Sequence, residues 1–149
     1  MIERLKFKVT LNSSGWDKKP EYQILIGDAL IIDGSVGGNF IDEIFEIDLK
    51  EGDYTLKVRL CNKDETDTAQ DESGNIVKDM LLHIKGLQID DIDMGPLLWS
   101  NSKFTLDTPV EYPPGTIISE YTNCVDLGHN GVWEFKFKSP MYDWLLEIL

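Results

Sequence analysis

The sequence is poor in the residues that usually build zinc sites, disulfide frameworks and nucleophilic centres. It contains two cysteines, Cys61 and Cys124, and two histidines, His83 and His129, among 149 residues. Two thiols in a chain of this length do not make a disulfide framework. A single disulfide between them is an alternative, but reduced thiols are favoured. Because no Cys or His pair falls at zinc spacing, a zinc centre is excluded.

Positive charge is also scarce. The chain has 14 Lys and Arg against 27 Asp and Glu, which gives a formal net charge of −13. Proteins that bind nucleic acid depend on Lys and Arg to neutralise phosphates, so we expect no nucleic-acid partner, and an anionic membrane surface is disfavoured for the same reason. A cation, a neutral ligand such as a sugar, or another protein remains.

Long apolar runs are absent. No segment is long enough to insert into and span a membrane, and Met1–Lys8 lacks the apolar stretch of a signal peptide. We therefore expect a protein made and folded in a cytoplasm. The sequence shows no repeat, low-complexity tract or linker, which favours one domain over residues 1–149.

Signatures of catalysis are missing as well. No glycine-rich loop precedes a helix, no serine lies in a nucleophile elbow, and nothing marks two carboxylates as a hydrolytic pair. His83 alternates with Met80, Leu82 and Ile84, which favours a solvent-facing or hydrogen-bonded histidine over a catalytic one. The sequence predicts a non-enzyme.

Alternation of apolar and polar residues is the dominant pattern, and it predicts about eight or nine short strands. Gly86 interrupts one of them and predicts a β-bulge. The pattern is typical of an all-β, antiparallel, jelly-roll-like β-sandwich, with a core in residues 1–94 and additional strands plus one short helix in residues 95–149. The clearest strands cover residues 5–11, 45–49, 54–60, 80–84 and 132–138.

The C-terminal residues predict an amphipathic helix. Ser139 is a suitable N-cap, and Pro140 is suited to the first helical position. The apolar face needs a partner surface, which is either the chain's own core or a neighbouring subunit. We predict an interface formed by Met141, Trp144, Leu145 and Ile148.

The acidic segment, residues 61–79, joins two predicted strands. It is longer than ordinary connections of about four to six residues, and its carboxylates outnumber Lys63 and Lys78. Hard cations prefer oxygen ligands, so calcium is the cofactor that this pattern favours, although the register is not that of an EF-hand. The alternative is a solvated, charged loop without metal. The acidic residues are Asp64, Glu65, Asp67, Asp71, Glu72 and Asp79.

Two tryptophans lie among turn residues. Trp16 and Trp99 are therefore the better candidates for stacking on a sugar or for a protein contact. Trp133 alternates with Phe135 and Phe137, which favours a place in the core.

One stretch resembles a known family. The succession Tyr54–Asn62, an acidic loop containing Gly74, and Asp79–Asp90 resembles the calcium-dependent, xylan-binding type of carbohydrate-binding module. The resemblance extends over about Leu5–Asp93. It implies a carbohydrate-binding-module-like sandwich in which loop oxygens hold a calcium ion that contacts sugar hydroxyls.

The resemblance also implies a ligand set. Asn62 ends the first strand, Asp67 and Asp71 occupy the positions of loop ligands, and Asp79 opens the later strand. The family usually continues with Arg-Asn where this chain has Met80-Leu81. This departure weakens the expectation of sugar recognition more than that of metal binding.

A second likeness covers Asp90–Asp93, Leu98-Trp99 and Ser139–Glu147, which are similar to small module-like structural proteins of marine tailed phages. It implies a non-catalytic virion or decoration protein, assembled in a host cytoplasm, whose partners are other virion proteins or a second copy of itself. The alternative is a calcium-dependent protein that binds host-surface or plant-type glycans. A metal-free inhibitor or adaptor domain is a third possibility.

Overall fold

A computed structural model describes residues 1–14, 18–63, 68–70, 72–73, 76–113 and 115–148. Within these residues the chain forms thirteen strands and two helices, neither of which is long and apolar enough to cross a membrane. The strands are β1 (Ile2–Ser14), β2 (Glu21–Ile26), β3 (Ala29–Ser35), β4 (Ile41–Lys50), β5 (Gly52–Leu60), β6 (Thr68–Gln70), β7 (Ile76–Asp79), β8 (Leu81–Ile89), β9 (Ile92–Asp93), β10 (Ser102–Tyr112), β11 (Thr116–Thr122), β12 (Asp126–Leu127) and β13 (Gly131–Ser139), and the helices are α1 (Leu97–Ser100) and α2 (Met141–Ile148).

The strands form two main sheets. In the described residues sheet A has the order β12-β8-β1-β4, with β9 on β8, and sheet B has the order β11-β10-β13-β5-β2-β3. Strands β6 and β7 form a separate hairpin inside the acidic segment. The neighbours are antiparallel, as β1 with β4 and β13 with β5, which confirms the predicted sandwich. Strands from residues 95–149 lie in both sheets, so they are integral to the sandwich.

The core lies between the two sheets. Alternation places one face of β1 inward, where Phe7 is fully buried. Its ring stacks on Phe45 of the same sheet at 4.9 Å and meets the edge of Phe137 from the opposite sheet at 5.5 Å. These aromatic contacts join the sheets directly.

The predicted bulge at Gly86 is present. Thr10 of β1 pairs with Gly86, and the next residue, Leu11, pairs with Ile84, so one residue of β8 is skipped. An added Cβ at Gly86 would lie 3.6 Å from the Thr10 side chain, which is an ordinary van der Waals distance, so space alone does not require glycine here.

The start of α2 differs from the prediction. Ser139 ends β13 and its hydroxyl donates to Glu3 Oε1 (2.7 Å), so it is not an N-cap. The helix begins at Met141, whose main-chain N–H donates to the same Glu3 oxygen (3.1 Å). A carboxylate from β1 therefore satisfies the helix terminus, where negative charge is favourable.

The interface prediction for α2 also needs correction. Met141, Trp144 and Leu145 are buried in the chain's own core, and the Trp144 ring meets the edge of Phe135 at 6.1 Å. These three side chains cover the sandwich and are not available to a second protein. Ile148 stays 42% exposed.

Candidate functional site

The candidate site lies at the end of the sandwich where the acidic segment leaves β5 and enters β8. The same end carries the loop between β12 and β13, because Gly131, which opens β13, pairs with Leu60, which closes β5. Three stretches that are distant in sequence therefore meet there: residues 61–63, residues 79–81 and residues 128–130.

Asn62 anchors the entry to β2. Its side-chain oxygen accepts the N–H of Glu21 (2.8 Å), and its side-chain nitrogen donates to the carbonyl of Lys19 (3.0 Å). The Lys18 ammonium donates to the main-chain carbonyl of Asn62 (2.6 Å). The Asn62 side chain, which was predicted to bind metal, therefore connects the segment after β5 to the residues at the start of β2 through hydrogen bonds.

Lys63 is held by both its main chain and its side chain. Its N–H donates to Asn130 Oδ1 (2.8 Å), and its carbonyl accepts from Asn130 Nδ2 (2.6 Å). The ammonium forms an ion pair with Asp79 and also donates to the carbonyl of Gly128. Because only 8% of the Lys63 side chain and 22% of the Asp79 side chain are exposed, this pair is largely shielded from water.

A depression of about 200 Å³ opens beside this pair. The pKa of His129 is lowered by burial and by the neighbouring Lys63 charge, and Asp79 opposes the shift, so the imidazole is neutral at pH 7. A hydrogen bond with Tyr112, with burial as the second cause, raises the pKa of Tyr121 to about 12. The lining residues are Leu81, Phe104, Tyr121, Cys124, Asp126, Gly128 and His129.

Three polar side chains form a row across neighbouring strands of sheet A. Ser14 Oγ lies 2.6 Å from His83 Nε2, and His83 Nδ1 lies 2.6 Å from Asp126 Oδ1. This satisfied histidine agrees with the sequence interpretation of His83. Nothing in the sequence indicated its two partners, which lie 69 and 43 residues away.

The row has the atom order of a Ser-His-Asp triad, but two features argue against acyl transfer. The carboxylate that orients such a histidine is buried, whereas the Asp126 side chain is 61% exposed. Ser14 belongs to strand β1, and the sequence around it lacks the Gly-x-Ser-x-Gly pattern of a nucleophile elbow. The row therefore ties β1, β8 and β12 together.

The predicted calcium ligands have different outcomes. Asp67 and Asp71 lie outside the described residues. Asn62 and Asp79 do not fit the predicted role, because the amide oxygen of Asn62 accepts from Glu21 and a lysine ammonium lies on Asp79. Among the residues that the structure describes, no three His, Cys, Asp or Glu side chains are grouped to hold a metal.

The predicted aromatic contacts are described only in part. Trp16 lies outside the described residues, and Trp99 on α1 is 54% exposed. Ser102 Oγ lies within hydrogen-bond distance of the carbonyl oxygens of Trp99 (2.8 Å) and Cys124 (3.0 Å). Since Cys124 lines the depression, α1 is connected to its wall.

Two solved structures share the architecture. One is vCBM60 in complex with galactobiose, with a TM-score of 0.53 and 13% sequence identity over 87% of this chain and 96% of that one. The chain has a carbohydrate-binding-module-like fold.

The other is the selenomethionine form of vCBM60, from work in which circular permutation links two families of calcium-dependent carbohydrate binding modules. It has a TM-score of 0.55 and 12% identity over 88% of this chain and 89% of that one. No family model and no curated protein matches the sequence.

Proposed function

We propose that the chain is a non-catalytic carbohydrate-binding protein whose sugar site is the depression beside the acidic segment. The main support is the depression of about 200 Å³, which has hydrogen-bonding groups on an apolar wall. It lies at one end of a carbohydrate-binding-module-like sandwich. Sites for drug-sized ligands span roughly 300–1,000 Å³. This depression therefore suits one sugar unit or the end of a chain.

The lining matches the chemistry of a neutral sugar. Sugar hydroxyls both donate and accept, and the Asp126 carboxylate accepts while the neutral His129 ring and the Tyr121 hydroxyl can do either. Leu81, which is partly exposed, supplies apolar surface for the C–H side of a ring. A net charge of −13 disfavours acidic glycans, so neutral glycans are the proposed class.

Calcium belongs to the proposal only through the acidic segment itself. The vCBM60 work concerns calcium-dependent modules, and Asp67 and Asp71 are the two predicted ligands that remain assigned to the ion. Hard-cation chemistry favours such carboxylates. Asn62 and Asp79 are left out of the proposed ligand set because protein groups already engage them.

Affinity gels and a glycan array, each run with calcium and with EDTA, test the proposal. Tyr121→Phe and His129→Ala should weaken binding of a neutral glycan about tenfold or more, because each removes a hydrogen bond from a partly buried site. Tyr142→Phe is the matched control, since Tyr142 lies on α2 and is 51% exposed.

The outcomes separate the two parts of the proposal. Binding that EDTA abolishes would support calcium in the acidic segment, and binding that survives EDTA would remove calcium from the proposal. If no neutral glycan binds, or if Tyr121→Phe and His129→Ala bind like the control, the sugar site is not the depression.

A structural role in a virion is a second proposal. It rests on the likeness to phage proteins and on the apolar side chains that α2 leaves in solvent, and it assigns the protein to a virion assembled in a host cytoplasm. Tyr142, Leu146 and Ile148 are 51%, 77% and 42% exposed. Light scattering of the purified chain and of a Leu146→Ser, Ile148→Ser variant tests self-association; a monomer in both samples would remove self-contact through α2.

A further inference from the structure

The base of the acidic segment already contains a positive charge. We infer that the Lys63 ammonium is a built-in cation that neutralises Asp79 and donates a hydrogen bond to the Gly128 carbonyl, so that this position takes no metal. The inference concerns the architecture of the site and stands whether or not the protein binds sugar.

The contacts of Lys63 are those that a hard cation would make. Calcium prefers carboxylate and main-chain carbonyl oxygens, and the ammonium lies against one of each, from Asp79 and from Gly128. A lysine that is only 8% exposed is costly unless it is paired and hydrogen-bonded, and both conditions are met here.

The surrounding chain keeps the ammonium in place. The Asn130 side chain forms two hydrogen bonds, of 2.8 and 2.6 Å, with the main chain of Lys63. These bonds fix the backbone from which the Lys63 side chain extends. A Cβ on Gly128 would lie 3.1 Å from Leu81 Cδ2, so this loop packs tightly on Leu81 beside the ion pair. One charge therefore joins the segment that follows β5, the end of β7 and the loop before β13.

This arrangement excludes Asp79 from metal binding. A divalent cation at Asp79 would lie next to a fixed positive charge in a shielded site, where repulsion is poorly screened. Any response of the protein to calcium must then come from other carboxylates. Removing the lysine should uncover the two oxygens and create a cation position.

Thermal unfolding of wild type, Lys63→Met, Asp79→Asn and the double variant tests the inference. Each single change should lower the Tm by on the order of 10 °C, because it leaves a buried charge without its partner. The double variant should lose less than the sum of the two. Lys85→Met is the matched control, since Lys85 is exposed on β8 and its loss should leave the Tm nearly unchanged.

Calcium chloride, with magnesium chloride as the comparison, completes the test. We expect calcium to change the Tm of Asp79→Asn by as much as it changes the Tm of wild type. Calcium should raise the Tm of Lys63→Met further, and this additional rise should be absent in the double variant. Lys63→Arg keeps the charge and should fold even if Lys63→Met does not. In that case the test is whether calcium changes the Tm of Asp79→Asn and of wild type by the same amount.

Three results would overturn the inference. A wild-type calcium shift that disappears in Asp79→Asn would make Asp79 a calcium ligand. A Lys63→Met protein as stable as wild type, or one that folds and gains no calcium shift, would show that the ammonium does not replace a cation there.

Discussion

His129 is a histidine whose pKa is lowered by its surroundings. Burial lowers its pKa, the Lys63 ammonium lowers it further, and Asp79 raises it by less. In the unfolded chain a histidine titrates near about 6.5. Between the folded pKa and this value the unfolded state binds more protons, so stability is present above about pH 6.5 and is lost as the pH falls towards the folded pKa.

We therefore predict that His129→Asn flattens the loss of stability between pH 7 and pH 5, as measured by urea denaturation at several pH values. The comparison with wild type cancels the contributions of the carboxylates, which are common to both proteins. Identical slopes for the two proteins would contradict a neutral, buried His129.

Single residues also show what the sequence could not reveal. Lys63 follows a clean strand and Asn130 precedes another, yet their mutual hydrogen bonds depend on β5 and β13 being neighbours. Ser14 and Asp126 reach His83 for the same reason. A local pattern records residue type and spacing, but not which distant strand lies beside it.

At the scale of elements, α2 is fixed by its inward face. Trp144 is 6% exposed and packs on Phe135, whereas Leu146 of the same helix is 77% exposed. Trp144→Ala should reduce the free energy of unfolding by about 3–5 kcal/mol, because it removes a large buried side chain and leaves a cavity.

Leu146→Ala is the control within the same helix and should change the free energy of unfolding by less than about 0.5 kcal/mol. Chemical denaturation of both variants measures the difference. Equal, small effects would show that the helix does not cover the core.

Elements with strong alternation were predictable, and those set by distant contacts were not. Strands β5 and β13 and the bulge at Gly86 follow from local pattern. The start of α2 depends on Glu3, a residue of β1, and the short helix α1 has no amphipathic repeat long enough to mark it. The β6–β7 hairpin lies inside a stretch that reads as a loop, because its polar composition hides the pairing.

For the whole molecule, excess negative charge is the largest electrostatic term. With 27 acidic against 14 basic residues, repulsion between exposed carboxylates opposes the compact state. Sodium chloride screens this repulsion, since the Debye length falls from about 30 Å at 0.01 M to about 3 Å at 1 M.

The Tm should therefore rise by a few degrees between about 0.01 M and 0.5 M sodium chloride, as measured by differential scanning fluorimetry. Exposed pairs such as Arg4 with Glu46 (3.0 Å) are weakened by the same salt, but each contributes little. A Tm that falls with salt would mean that attractive surface pairs outweigh the net charge.

The position of β5 between β2 and β13 also affects how the chain folds during its synthesis. A ribosome delivers β2, β3 and β5 early, whereas Gly131–Ser139 emerges more than seventy residues after Leu60. Until then one side of β5 has no hydrogen-bonding neighbour and invites pairing with other chains. Strand β13 pairs with this side of β5 and joins it to the β10–β11 pair. A translation pause or a truncation before residue 131 should therefore favour aggregation of the nascent chain.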